Sequence, residues 1–215
     1  MKVVVFITGT NAVGKSTLAW SLINRFGGIY EEQDFVTICK DMRYGLAGKY
    51  DNKRYGGVDR LTNDKGCSCT SRLAEVVLKG LRTVDVIFCE GSFMNTFGLN
   101  LTNALFLGDK ALFLGDKALV VSLYAPPAVI YERLNRRSNG INGIGKRNWP
   151  TIFSKQKQAM VAAQKYEQIG CKVLQFDTSV YSTEQIRDEI MNYLNAIDYD
   201  EEYATRSSVH SIGHP

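Results

Sequence analysis

The sequence predicts an α/β fold, a mostly parallel five-stranded sheet with helices on both faces, three layers in all. Three observations carry that prediction. Short, nearly continuous apolar runs at Lys2–Thr8, Val84–Glu90 and Ala118–Tyr124 suit strands buried on both faces. Stretches with helical apolar spacing separate them, the alternation that builds a parallel sheet. At 215 residues and 24.0 kDa the chain fits a single domain able to bury a proper core.

Taken in order, the first strand is followed by a helix from about Gly14 to Phe26. Leu18, Leu22, Ile23 and Phe26 fall at helical spacing there, and Gly27-Gly28 stops it. A brief strand near Ile29-Tyr30 leads to Asp34. The glycine-rich, polar stretch from about 40 to 70 reads as a substrate-facing insertion. A helix near Ser71–Leu81 precedes the strand ending at Glu90, and another covers about Leu99–Phe106. After Ala118–Tyr124, the Ala-Pro-Pro sequence opens a helix at about Pro127. That helix runs into a Gly/Asn-rich loop, so that 133–150 forms a lid. Pro150 opens a helix reaching about Gln168, and the fifth strand is Lys172–Phe176. A last helix begins at Ser182, where Ser182 and Gln185 have capping-box spacing. The domain is thus 1–198, and 199–215 reads as a disordered tail. A tandem copy, Ala104–Lys110 then Ala111–Lys117, spans too few units for a solenoid. Seven residues are about two helical turns, so the insertion lengthens a connection without rotating its apolar face.

Composition narrows the function classes. No apolar run approaches the ~20 residues needed to cross a bilayer, and the N-terminal run is too short for a signal peptide. A cytoplasmic location, with no membrane partner, is expected. The only histidines, His210 and His214, lie in the tail, which argues against histidine catalysis or ligation. Five cysteines, of which only Cys67 and Cys69 are close, suit reduced structural thiols better than a zinc site. Net charge is +4, but its distribution matters more. Arg133, Arg136, Arg137, Lys146, Arg147, Lys155 and Lys157 occur without an acidic residue among them, which suits a polyanionic substrate.

The strongest chemical signal is Gly9-Thr10-Asn11-Ala12-Val13-Gly14-Lys15-Ser16-Thr17, which matches G-x-x-x-x-G-K-[ST] at every fixed position. It stands between a buried strand and a helix start, where such a loop must stand to work. Glycines let the backbone wrap phosphates with its N–H groups pointing inward, and the helix N-terminus adds positive potential. Lys15 is placed to reach the β- and γ-phosphates of ATP, and the Ser16 hydroxyl to ligate Mg²⁺. This is a P-loop, and the expected class becomes the three-layer P-loop NTPase fold.

Further residues gather around it by position. Asp34 follows the second strand and Glu90 ends the third. Ligands of parallel sheets collect beyond the carboxyl ends of strands, which places both acids beside the loop. Each also has a plainer reading, Asp34 as a helix cap and Glu90 as a structural hydrogen-bond partner. Arg133, Arg136 and Arg137, at i, i+3 and i+4, share a helix face and precede a glycine-rich loop. Gly56-Gly57-Val58-Asp59-Arg60 suits a substrate loop, with Arg60 on an acceptor phosphate, or simply a turn with an exposed ion pair. Asp177-Thr178-Ser179 follows the last strand.

Together these residues resemble the nucleotide and polynucleotide kinase branch of P-loop proteins, over about 1–196. The resemblance implies that the lid arginines Arg133, Arg136 and Arg137 close over the transferred phosphoryl group. It implies Asp34 as general base, and Glu90 on Mg²⁺ through water or in acceptor positioning, with the two roles open to exchange. The segment Gly48-Lys-Tyr-Asp-Asn-Lys-Arg-Tyr-Gly-Gly-Val-Asp59, with Glu90-Gly91, is similar to phage-encoded 5-hydroxymethyluracil DNA kinases. That resemblance implies a DNA-modification role, ATP phosphorylating the hydroxymethyl group of a base in DNA. A nucleoside monophosphate or other small-molecule kinase, and a nucleotide-dependent regulatory ATPase, are the alternatives. The chain lacks the Asp-Arg-Tyr/His/Ser motif of thymidylate kinases after the third strand, which argues against a thymidylate substrate.

Overall fold

The computed structural model describes residues 2–50, 57, 58, 61, 69–91, 94, 118–137 and 149–210, and within these the side chains of all but 69–71, 137 and 199–210. Their frame is a seven-stranded sheet. Its strands are β1 (Val3–Gly9), β2 (Ile29–Gln33), β3 (Val36–Cys39), β4 (Tyr44–Ala47), β5 (Val86–Glu90), β6 (Ala118–Tyr124) and β7 (Lys172–Asp177), in the order β2-β3-β4-β5-β1-β6-β7. The helices are α1 (Lys15–Arg25), α2 (Cys69–Thr83), α3 (Pro127–Arg137), α4 (Trp149–Gln168) and α5 (Thr183–His210).

The central strand shows why the apolar runs are continuous. Successive side chains of a strand point to opposite faces. Val3, Val5 and Ile7 of β1 enter one core cluster, and Val4 and Phe6 enter the other. The first cluster is closed by α1 through Leu18, Leu22 and Ile23, and by α5 through Ile186, Ile190 and Leu194. The second is closed by α2 through Leu73, Val76 and Val77, and by α4 through Ala162 and Tyr166. This is the three-layer α/β arrangement that the alternating pattern predicts.

Two differences from the sequence reading concern the sheet. The strand count is seven, not five, because β3 and β4 lie in stretches left unassigned or read as loop. Five strands are indeed parallel neighbours, β4-β5-β1-β6-β7, but Ile29-Tyr30 is not among them. It belongs to β2, which pairs antiparallel with β3, which in turn pairs antiparallel with β4. The parallel neighbour of β5 is instead β4, whose Tyr-Gly-Leu-Ala sequence carries little strand signal. A Cβ on Gly45 would lie 3.2 Å from a Val84 side-chain atom, so β4 passes close to Val84 there.

The last helix starts as its sequence suggests: the Ser182 N–H donates to Gln185 Oε1 at 2.8 Å, and the Gln185 N–H donates to Ser182 Oγ at 3.2 Å. The helix continues to His210, beyond the Asp198 boundary expected from composition. The expected helix at Leu99–Phe106, the tandem copy, and Asp59 and Arg60 lie outside the described residues.

Candidate functional site

Gly9 ends β1 and begins the loop. Its φ of +139° and a hypothetical Cβ only 2.4 Å from the Leu123 carbonyl oxygen leave room for nothing larger than glycine. Ala12 (φ 65°) and Gly14 (φ 96°) also adopt left-handed backbone. Left-handed residues of this kind turn successive N–H groups toward a common point and build an anion-binding concavity. Gly14 is also the N-cap of α1 and supplies no side chain to block that helix end.

Lys15 is buried, and its Nζ donates to the carbonyls of Gly9 (3.1 Å) and Thr10 (2.9 Å), spanning its own loop. Its ammonium is therefore held over the concavity by two main-chain oxygens. Thr10 is buried too, and its hydroxyl donates to the Ile152 carbonyl of α4 at 3.1 Å, which ties the loop to that helix.

Glu90, buried at the end of the strand beside β1, accepts a hydrogen bond from Ser16 Oγ at 3.4 Å. Lys15, Ser16 and Glu90 thus converge at one mouth. A hydroxyl and a carboxylate are the hard oxygen donors that Mg²⁺ takes when phosphates and water complete its shell, so the residues fit that ion. Among the described residues no group of three or more histidine, cysteine or acidic side chains forms a fuller metal cage.

Glycines pack against Glu90 from the far side. A Cβ on Gly57 would come within 2.3 Å of the Glu90 carbonyl oxygen and 2.5 Å of its Oε1, and one on Gly48 within 2.2 Å of the Gly57 carbonyl oxygen. The ends of β4 and β5 and the segment at Gly57 are therefore stacked in contact. Nearby, Lys49 Nζ and the Arg72 guanidinium lie 5.2 Å and 4.4 Å from the ring centre of Phe35. Neither cation was singled out by spacing; a cation over a ring is a tertiary event with no sequence period.

Asp34 does not join this group. It and Phe35 are the two central residues of the β2–β3 hairpin, with φ of 49° and 66°, the backbone of a type I′ turn. Its carboxylate is mostly exposed and pairs with Lys79 at 3.5 Å. The turn sits at the loop end of the sheet but three to four strand spacings from β1, roughly 14–19 Å. The parallel neighbour of β5 is β4, not the strand that precedes Asp34.

Arg133 also departs from expectation. Its guanidinium donates to the Ala12 carbonyl (3.3 Å), Thr178 Oγ1 (2.7 Å) and the Thr178 carbonyl (2.5 Å), so it clamps the loop to the segment after β7. Arg136 is exposed and paired with Glu132 one turn earlier. The side chain of Arg137 is outside the described set. Arg133, Arg136, Thr178, Tyr181, Thr183 and the outer wall of the loop enclose a cleft of about 330 Å³. Asp177, next to Thr178, accepts from the Ser179 N–H at 2.8 Å and Ser179 Oγ at 2.6 Å.

Cys39, Cys89 and Cys171 are buried and free. Burial pushes the Cys39 thiol up to about 12 and Cys171 to about 11, and raises Cys89 further. Protonated thiols are neither nucleophiles nor ligands at neutral pH, so these three thiols take no part in the chemistry of the site.

No family model matches the chain, and no curated protein matches it. Among solved structures, it is similar to the YorR protein of Bacillus subtilis in complex with phosphorylated GDP, with TM-score 0.55 and 18% identity over 91% of this chain and 98% of that one. Other similar structures are deoxyadenosine kinase from M. mycoides with bound dCTP (TM-score 0.45, 17% identity, 90% and 99% covered) and shikimate kinase from Bacteroides thetaiotaomicron (0.47, 14%, 91% and 98%). The likeness to YorR is one of fold. Among the described residues no helix is long and apolar enough to cross a membrane.

Proposed function

We propose that this chain is an ATP-dependent phosphotransferase that passes a γ-phosphoryl group to an acceptor hydroxyl. The observation that carries the reading is the convergence of Lys15, Ser16 and Glu90 at the mouth of a loop whose backbone is already turned to hold phosphates. When ATP enters, Lys15 exchanges its two carbonyl partners for phosphate oxygens. Ser16 and Glu90 would hold Mg²⁺, Glu90 through water, which supplies charge neutralisation between the β- and γ-phosphates. The acceptor oxygen then forms a bond to γ-phosphorus as the bond to the bridging oxygen breaks; ADP leaves and the hydroxyl proton is released. Such transfers run through a loose transition state, so positioning and electrostatics carry most of the catalysis. Arg133 serves here as a clamp between loop and nucleoside side, leaving Arg136 and Arg137 for the phosphoryl group.

For the acceptor, the finer reading is the hydroxymethyl group of 5-hydroxymethyluracil in DNA. Its support is that Gly48, Gly57 and Glu90, from the segments that resemble the phage DNA kinases, pack together. Asp59 ends the segment that begins at Gly48, and Arg60 follows it directly. The test is transfer of labelled γ-phosphate from ATP to modified DNA, plain DNA ends, deoxynucleoside monophosphates and nucleosides. Label on modified DNA alone supports the finer reading. Label on a free nucleotide alone replaces it with a small-molecule kinase, and no labelled acceptor at all removes the phosphotransferase reading.

A further inference from the structure

Beyond the phosphate site, the molecule leaves a set of aromatic rings half-covered where α3 and α4 flank the lid. Trp149 stacks with Tyr131 at 5.3 Å between ring centres and 19° between planes, and with Phe153 at 5.4 Å and 28°. Trp149 is partly packed against the core, but Tyr131 and Phe153 are 48% and 42% exposed. Trp149, Phe153, Lys157 and Met160 follow at i, i+4, i+8 and i+11, one face of α4, and Met160 is 50% exposed. Three nearly parallel rings on the surface are more than single exposed hydrophobics, which need no explanation.

Charge decides what would cover them. From Tyr131 to Tyr166 there are eight lysines and arginines and one acid, Glu132, so this stretch carries +7 and the rest of the chain −3 against a total of +4. The acid next to Tyr131, Glu132, is already paired with Arg136. A second copy seated on this face would set like charge against like charge. A strand of nucleic acid meets both needs, since its phosphates answer the cations and every base offers a π-face to a free ring.

We infer that Tyr131, Trp149 and Phe153 form a stacking platform for single-stranded nucleic acid. This deepens the nucleic-acid reading above and rests on it for its purpose. The platform adjoins the catalytic end: Arg133 of α3 holds Ala12, and Ile152 of α4 holds Thr10. A strand lying there runs along the helices that bracket the phosphate loop, which keeps a polymeric acceptor near while one base reaches Glu90. A base to be phosphorylated must leave its stack, and a ring that receives a neighbouring base offsets part of that cost.

The test is anisotropy of a labelled oligothymidylate in the absence of ATP, titrated at several salt concentrations. Binding should weaken as salt rises, with log K falling by about 0.7 per phosphate contact per decade. Phe153→Ala and Tyr131→Ala should each weaken binding by roughly 5- to 100-fold, and Phe153→Trp should retain it. Phe153→Leu keeps apolar bulk but loses the ring, so it should weaken binding as well; thermal melting confirms each variant is folded. The chain has two tryptophans, so Trp20→Phe leaves Trp149 as the reporter, and its fluorescence should be quenched by the oligonucleotide. Wild-type affinity in Phe153→Leu, or self-association of the protein with no oligonucleotide binding, overturns the inference. Lost oligonucleotide binding with transfer to a small acceptor intact touches this surface alone. Intact binding without transfer to any acceptor removes the kinase reading and leaves this one standing.

Discussion

Replacing Gly57 with alanine probes the candidate site without touching any group that contacts ATP. The new methyl would lie 2.5 Å from Glu90 Oε1 and 2.3 Å from the Glu90 carbonyl oxygen, where ordinary contact begins at 3.4 Å. The carboxylate therefore has to move by about 0.9 Å, or the segment at Gly57 has to retreat by as much. A misplacement of about 1 Å in a catalytic constellation costs on the order of 10²-fold in rate. The φ of +79° at Gly57 adds strain of about 1–2 kcal/mol with a Cβ present. The variant should thus melt slightly earlier in urea and bind ATP like the wild type. Its kcat should fall by roughly 10², measured on whichever acceptor the wild type labels. A kcat within twofold of wild type, in a variant whose crystal structure shows the Glu90 carboxylate displaced by the methyl, would refute the placement of Glu90 in the reaction.

Lys15→Ala should weaken ATP binding and transfer together, read by calorimetry and by labelled-phosphate transfer, because the ammonium holds the same oxygens before and during reaction. Arg133→Ala removes the clamp between Ala12 and Thr178 and should cost about 1–3 kcal/mol in denaturant melts, with ATP bound more weakly. Asp34→Ala should leave transfer within about twofold, since its carboxylate faces Lys79 at the sheet edge; a loss of ~10²–10⁴ would return it to the site as a base. Stability should decline in alkali. The Cys39 thiol ionises near 9 when unfolded and near 12 when folded, so its contribution is complete below pH 9 and is lost as pH rises from 9 to 12. Melting temperature followed over pH 8–11 should fall less steeply in Cys39→Ala than in wild type.

Most of the fold was legible because its signals are local. Val3–Gly9, Val86–Glu90 and Ala118–Tyr124 announce themselves as strands by continuous apolar residues, since both faces of a central strand are buried. The capping box at Ser182 and Gln185 is local in the same way. β4 was not legible: Tyr44–Ala47 holds a glycine and an alanine, and only its position between β3 and β5 makes it a strand. Asp34 lies in the β2–β3 hairpin at the sheet edge, a place that strand order decides. The aromatic run is equally silent in sequence, because Tyr131 and Trp149 are joined only when α3 and α4 pack.

By itself, then, the sequence determined the phosphate loop and the layered α/β frame, because each is written in contiguous residues whose spacing fixes the backbone. Tertiary structure alone decided which carboxylate stands by Ser16, what Arg133 holds, and which rings meet at the surface. The Ser16 and Arg133 contacts join residues 45 to 121 positions apart and Tyr131 meets Trp149 across two helices, so none of these pairings leaves a period in the chain.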